Sequence, residues 1–358
     1  MKILKYIDLF NGLGAFHMAF DYHSCDKIKY ECVFASDINE DVRDIYEENY
    51  GLKPKGDINE INVENDIPDF DILCAGFPCQ PFSISGKKEG FENPTQGNLF
   101  FKILEILDKK RPSTFILENV KNLETIHNSN TFNTIKNELE KRNYNIFHKV
   151  LNAKDYGSPQ SRQRIYIIGL KKGQDIIGLK NESQDIIDLK NESQDIIGLK
   201  KGQGRTFHFP PAFEMTRTVA DIIDYTINDF LDLNEKYDLV KNDNENSHLL
   251  YRLINKETGK GGRQGERVYS INHSGPTVCA QSGGVGANTG LYQIEEGKIR
   301  TLTVNETLKM FGFTDNYKYD TLKEKYVNKP KLIKKKMLYF LGNSIVVNVL
   351  KEIIKNIE

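Results

Sequence analysis

Apolar positions fall into two rhythms along the first half of the chain. Short runs rich in β-branched and aromatic residues, ILKYIDLF (3–10), ECVFAS (31–36), FDILCAG (70–76) and TFILENV (114–120), have the pattern of buried strands. Between them lie stretches with helical spacing, such as GNLFFKILEILDKK (97–110). This alternation predicts an α/β fold built on a doubly wound, mostly parallel sheet. YNIFHKVL (144–151) and RIYIIGL (164–170) continue it as later strands.

The pattern then breaks. A decapeptide recurs as QDIIGLKNES, QDIIDLKNES and QDIIGLKKGQ from 174 to 203. Three ten-residue units are too short to stack a core of their own, so they are expected to form an expanded surface loop without a functional role. Beyond Asp221 come acidic and polar text and two glycine-rich strings, GKGGRQGERVYS (259–270) and QSGGVGANTG (281–290), which predict a smaller strand-and-loop unit. Thr303 and Glu306 in TVNETLKMFGF (303–313) form a capping-box pattern, and an apolar helix is expected after LGNS (341–344). The expected division is 1–222 with 300–358 as one domain and 223–299 as the other.

Composition adds limits. With 358 residues, 39% of them hydrophobic, the chain can bury a substantial core. Asp8 interrupts the N-terminus too early for a signal peptide and no 18-residue apolar span is evident, so a soluble, cytoplasmic protein with no membrane partner is expected. The five cysteines (25, 32, 74, 79 and 279) include no CxxC pair, which argues for reduced thiols and against a disulfide framework or zinc knuckle. A net charge of −1 does not by itself suggest a nucleic-acid binder. Seven lysines between 323 and 336 (323, 325, 329, 331, 334, 335 and 336) read either as a basic patch or as a solvated helix face.

DLFNGLGAF (8–16) is a strand running into a glycine turn, with Gly12 and Gly14 at the place where open α/β sheets bind nucleotide-like ligands. His17 stands where a dinucleotide fingerprint needs its third glycine, which disfavours a pyrophosphate. Asp37, at the end of the second strand, suits ribose hydroxyls. Asp57, at the next strand end, suits an exocyclic amine. A nucleoside site without phosphates points to S-adenosylmethionine. In AGFPCQPFS (75–83) two prolines stiffen the loop that carries Cys79.

Taken in order, DLFNGLGAF, FASD, GDI, GFPCQPFS, GNLFF, LENV, PQSRQRIY, RTLTVNETLKMFGF and GNSIVVNVL resemble the motif series of DNA (cytosine-5) methyltransferases of the small bacterial type, from about residue 6 to 352. Ala15 departs from the glycine usual in that family, and Asp37 from the usual glutamate. The resemblance implies an S-adenosylmethionine-dependent methyltransferase fold and methylation of a cytosine in double-stranded DNA. It also implies cofactor contacts from Phe10, Asp37, Ile38, Asp57, Ile58, Pro78, Leu99 and Asn343. The implied setting is a restriction–modification system, with a monomeric enzyme and a cognate endonuclease that shares its site without a stable complex.

The chemistry matches these residue types. Cytosine C5 is a poor nucleophile until a thiolate adds at C6, the role read for Cys79. Glu118 can hydrogen-bond or protonate N3, provided burial raises its pKa. Arg162 and Arg164, two apart on an extended segment, are expected to face one way and meet the ring O2 and a neighbouring phosphate. An ion pair between Glu118 and one of these arginines is the alternative reading of the glutamate. Asn119 is expected to brace the loop or the base, and water to remove the C5 proton.

The target base must leave the helix stack to be reached. Arg263, Gln264 and Arg267 in the glycine-rich loop are expected to approach the major groove. Gln264 is the candidate to fill the vacated position, met by Ser85 from the other side, with the neighbouring Arg263, one arginine more than related strings carry, as the alternative for that role. Rival readings are an RNA cytosine methyltransferase and a non-catalytic DNA-binding paralogue. The long glycine-rich segment argues against the first, and intact Cys79, Glu118 and Arg164 against the second.

Overall fold

The computed structural model describes residues 1–78, 99–125, 129–173, 206–213, 217–244, 247–281 and 284–357. Cys79, Ser85 and the decapeptide repeat lie outside them.

Among the described residues, six strands form the main sheet: β1 (Lys2–Leu9), β2 (Ile28–Ser36), β3 (Ile72–Gly76), β4 (Thr114–Val120), β5 (Tyr144–Asn152) and β6 (Gln163–Lys171), in the order β2-β1-β3-β4-β6-β5. The pairs among β1 to β4 are parallel, while β6 runs antiparallel to both β4 and β5. The sheet is therefore mostly parallel with one reversed strand.

Alternating strand residues sort into two cores. Ile7, Leu9, Leu73, Ala75, Phe115, Leu117, Ile165 and Ile167 pack with α3 (Leu99–Lys110) and α4 (Asn130–Lys141). Leu4, Tyr6, Ile72, Cys74, Ile116, Tyr166 and Ile168 pack on the opposite face, with α1 (Ala15–His23) and α2 (Glu40–Tyr50). Burial on both faces is why these strands read as continuous apolar runs.

Four later helices complete the second face: α5 (Val304–Phe311), α6 (Asp320–Lys325), α7 (Pro330–Asn343) and α8 (Val347–Lys355). The span from Pro330 to Lys355 does have the length and apolarity of a membrane helix, contrary to the sequence reading. Its helical run breaks at Ser344, and most of its apolar surface is buried within the protein, as in the core helix of a soluble domain. The lysine run is largely committed to neighbours. Lys325 contacts Glu40 at 2.8 Å and Asp41 at 3.0 Å, Lys336 contacts Asp41 at 2.7 Å, Lys323 pairs with Asp320, and Lys334 donates to the Thr301 hydroxyl. Lys325 and Lys336 thus tie α6 and α7 to the first turn of α2.

A second, five-stranded sheet comprises β7 (Tyr237–Lys241), β8 (Leu249–Asn255), β9 (Arg267–Ser270), β10 (Leu291–Glu295) and β11 (Lys298–Arg300). Its own core is small: Leu233, Leu253, Val268, Leu291 and Ile299. The chain passes between the two sheets near Asp224 and again near Arg300, and a buried ion pair joins these crossings. Arg300 meets both carboxylate oxygens of Glu306, at 2.7 and 2.8 Å, and donates to the Asp224 carbonyl. Glu306 in turn accepts from the backbone amides of Asp224 and Thr303. Thr303 and Glu306 form the capping box at the start of α5.

Burial alone would raise the Glu306 carboxyl. Hydrogen bonds from Arg300 and the two amides outweigh it and hold the pKa below the ordinary value. The group therefore contributes stability above the usual carboxylate range, and that contribution fades as pH falls through the depressed value. Glu306→Ala strands Arg300 in the interior and is expected to cost about 3–5 kcal/mol. Urea unfolding at neutral pH measures it, and a loss under about 1 kcal/mol would contradict the assigned role.

Candidate active site

The order β2-β1-β3 reverses direction at β1, and open α/β sheets bind ligands in the crevice outside such a reversal. A cavity of about 630 Å³ opens there. Because β6 is antiparallel, its first residues lie at the same edge as the last residues of its parallel neighbours. The cavity is therefore lined by Phe10 and Gly12 after β1, Ser36 to Asn39 at β2, Gly76 to Pro78 at β3, Glu118 to Val120 at β4, and Arg162 and Arg164 at β6.

On the nucleoside side, Phe10 has φ 57°, an uncommon conformation for a side chain of its size. Ile38 is 75% exposed although apolar, while Ile58 is buried beneath the cavity. Asp37 Oδ2 accepts from the Gly12 amide at 3.0 Å and Oδ1 from the Asn39 amide at 2.8 Å, so this carboxylate ties the glycine turn to the end of β2. Burial raises its pKa, against the pull of those two amides and Arg43. Each oxygen keeps acceptor capacity for a ligand. Asp57 also lines the cavity but not at a strand end, as the sequence suggested. It caps the short turn Ile58–Glu60, accepting from the Asn59 amide. Leu99, at the start of α3, and Asn343, at the end of α7, complete the sequence-expected set.

Gly14 is a correction. It does not line the cavity. It begins α1 at φ 78°, and a Cβ there would run into the rings of Tyr50 and Tyr46. Backbone conformation and helix packing are enough to require glycine there.

On the other side of the cavity, Glu118 is buried and Arg164 Nε lies 3.2 Å from its Oε1. Burial raises the Glu118 pKa, and the nearby Arg164 and Arg162 only partly offset this. Asn119 Nδ2 donates to the Phe77 carbonyl at 2.9 Å, bracing the segment that leads through Pro78 toward Cys79. Arg162 does not face the way Arg164 does. Its guanidinium is buried and donates to the carbonyls of Val278, Gly342 and Ser344 at 2.8–2.9 Å. It precedes β6 rather than lying within it, so strand alternation does not relate the two arginines. The observed geometry makes Arg162 a staple between elements rather than a free contact for O2 or phosphate.

Several cavity residues escaped the sequence reading, including Ser36, Val120 and the exposed Tyr339. Outside the lining, Asp8 is buried with neither carboxylate oxygen hydrogen-bonded among the described residues. Burial, reinforced by Asp37, pushes its pKa well above the ordinary range. A carboxylate between the apolar residues Ile7 and Leu9 was a signal available in the sequence.

The cavity fits a nucleoside-type cofactor. Asp37 and Asp57 line its nucleoside side, the Ser36 hydroxyl is buried without a hydrogen-bond partner among the described residues, and Phe10, Ile38 and Ile58 supply apolar walls.

In the glycine-rich loop, Arg267 Nε donates to the Gly262 carbonyl at 2.8 Å, Arg263 is exposed, and Gln264 Nε2 donates to the Thr277 carbonyl at 2.8 Å. These three residues are therefore grouped on the second unit, apart from the cavity lining.

The family profile described as C-5 cytosine-specific DNA methylase matches residues 4–358. The chain is 38% identical to the type II methyltransferase M.HhaI of Haemophilus parahaemolyticus, over 99% of this chain and 94% of that protein. It is 32% identical to M.Bsp6I of a Bacillus species, over 99% and 98%. Among solved structures, the methyltransferase EhMeth of Entamoeba histolytica superposes with a TM-score of 0.66 at 18% identity, covering 100% of this chain and 98% of that one.

Proposed function

The chain belongs to the C-5 cytosine-specific DNA methylase family, and from that premise we propose that it is the modification methyltransferase of a type II restriction–modification system, acting on one cytosine within a specific duplex sequence. The observation that carries the reading is a single cavity holding both a nucleoside-suited half, with Asp37, Asp57 and apolar walls, and an acid–base half, with buried Glu118 beside Arg164.

S-adenosylmethionine, when bound, supplies the methyl group that C5 of the activated base attacks. Phe10, Ile38 and Ile58 would wall its adenine, with Asp37 on the ribose, Asp57 on the exocyclic amine, and Gly12, Pro78, Leu99 and Asn343 around it. The thiolate of Cys79 adds to C6 of the extruded cytosine. Glu118, whose pKa burial raises, gives its proton to N3 as thiolate addition pushes electron density onto that nitrogen, and takes the proton back when the thiolate is eliminated. Arg164 keeps Glu118 oriented and offers its remaining N–H groups to O2. Arg162 holds the edge of the site together by stapling three carbonyls. After transfer, water takes the C5 proton and Cys79 leaves by elimination.

The interval 223–299 supplies target recognition. Arg263 and Arg267 approach the groove and Gln264 fills the position the cytosine vacates, its amide offering the orphaned guanine both a donor and an acceptor. The protein acts as a monomer, and its endonuclease counterpart shares the site without forming a stable complex.

Bisulfite sequencing of DNA from cells expressing the protein tests the whole reading. The expected result is protection of one cytosine in every copy of a short sequence. An unprotected genome from cells holding soluble, folded protein would overturn it, and methylated RNA in its place would favour the RNA alternative.

A further inference from the structure

Gln264 does not project freely from its loop. Its Nε2 donates to the Thr277 carbonyl and lies 3.5 Å from Cys279 Sγ, and the thiol faces Gln264 Oε1 at 3.8 Å. The amide's donor is engaged and its oxygen faces the thiol, which also lies 3.5 Å from the Thr277 carbonyl; donor and oxygen are the two groups the amide would offer a guanine.

The segment that receives it is fixed from its other edge. The Gly275 amide donates to the Pro159 carbonyl, and the Gly275 carbonyl accepts from the Ser161 amide. The Thr277 hydroxyl donates to the Ser161 carbonyl, the Val278 amide to Gln160 Oε1, and Arg162 to the Val278 carbonyl. A Cβ on Gly342 would strike the backbone of Cys279 and Ala280, so the end of α7 presses on the same segment. Five hydrogen bonds and a close backbone contact thus hold Thr277 and Cys279 against the turn that leads into β6. The receiving groups cannot follow Gln264 into a duplex, and the amide cannot occupy both places.

We propose that Thr277 and Cys279 form a berth for the Gln264 side chain in the DNA-free protein, with Cys279 a positioning residue whose contact with the amide must break before Gln264 can fill the space left by the extruded cytosine. This rests on the infilling role given to Gln264 above. The berth stabilises the free protein and not the complex, so weakening it shifts the equilibrium toward the DNA-bound state by as much as it destabilises the resting one.

The test uses the full chain and duplexes carrying 2-aminopurine at the target position, whose fluorescence rises on unstacking, with affinity read by anisotropy. Cys279→Ala is expected to bind about two- to fivefold more tightly than wild type, the range commanded by one weak side-chain hydrogen bond, with a larger 2-aminopurine signal. Cys279→Ser, which keeps a donor, should behave as wild type. In a Gln264→Ala background the gain should vanish. A gain of equal size in that background would mean Cys279 acts through packing and overturns the berth. So would no gain from Cys279→Ala while Gln264→Ala weakens binding, an outcome that leaves infilling intact. A silent Gln264→Ala would remove the infilling reading and the berth with it.

Discussion

Cys79→Ser should abolish methyl transfer, by about 10³-fold or more, while leaving cofactor and DNA affinity within a few-fold of wild type. An alcohol is almost wholly un-ionised near neutral pH, whereas a thiol with an unperturbed pKa of about 8.5 already supplies some thiolate, and thiolate is the nucleophile C6 requires. Duplexes with 5-fluorocytosine at the target position should trap wild type as a covalent adduct, because fluorine cannot leave as the C5 proton does. The serine variant should form none. Transfer by Cys79→Ser at a comparable rate would place the nucleophile elsewhere.

Glu118→Gln is expected to lower kcat by about 10²–10⁴-fold, the range for removal of a positioned acid. Glutamine can still donate a hydrogen bond to N3 but cannot give up a proton to it. The pH dependence carries the sign. Burial raises the Glu118 pKa, so the protonated form persists to higher pH than in an exposed glutamate and is lost as pH rises through the raised value. Wild-type kcat/KM should therefore contain a limb that declines with rising pH, and the glutamine variant should lack that limb. An unchanged limb would assign it to another group. A variant of undiminished kcat would reduce Glu118 to the partner of Arg164, the ion pair seen at 3.2 Å.

The strands were legible because burial on both faces writes them as unbroken apolar runs. Their direction was not, since a run such as RIYIIGL reads equally well as a parallel or a reversed strand. Reversal of β6 is what brings Arg164 to the same edge as Glu118, so the pairing depends on topology that no local pattern encodes. Arg162 shows the related limit: two arginines two apart share a face only if both lie in the strand, and β6 begins at Gln163. Glycine at position 14 marked a turn correctly, but whether it makes room for a ligand or for Tyr50 depends on a ring 36 residues away. The lysine run was visible as charge, whereas its partners Glu40 and Asp41 lie some 285 positions earlier in the chain. Asp37 and Asp57 were readable from motif position, yet Asp57 reaches the cavity from a capped turn rather than a strand end.

Arg300 and Glu306 tie together the two places where the chain leaves and re-enters the main sheet's side of the molecule. An interval whose ends meet at one fixed point resembles a cassette clipped into a frame: its interior can be lengthened, shortened or exchanged while the frame sees the same two ends. Sequence divergence between 225 and 299 therefore need not propagate into the cavity through its ends. Transplanting that interval from a relative should require Asp224, Arg300 and Glu306 kept in place, together with the second seam along which the exchanged piece must fit: the 271–280 contacts to Val219, Ala220, Pro159–Arg162 and Gly342, and the apolar side chains Tyr269, Ile271, Val278, Tyr292 and Ile294 that enter the main core.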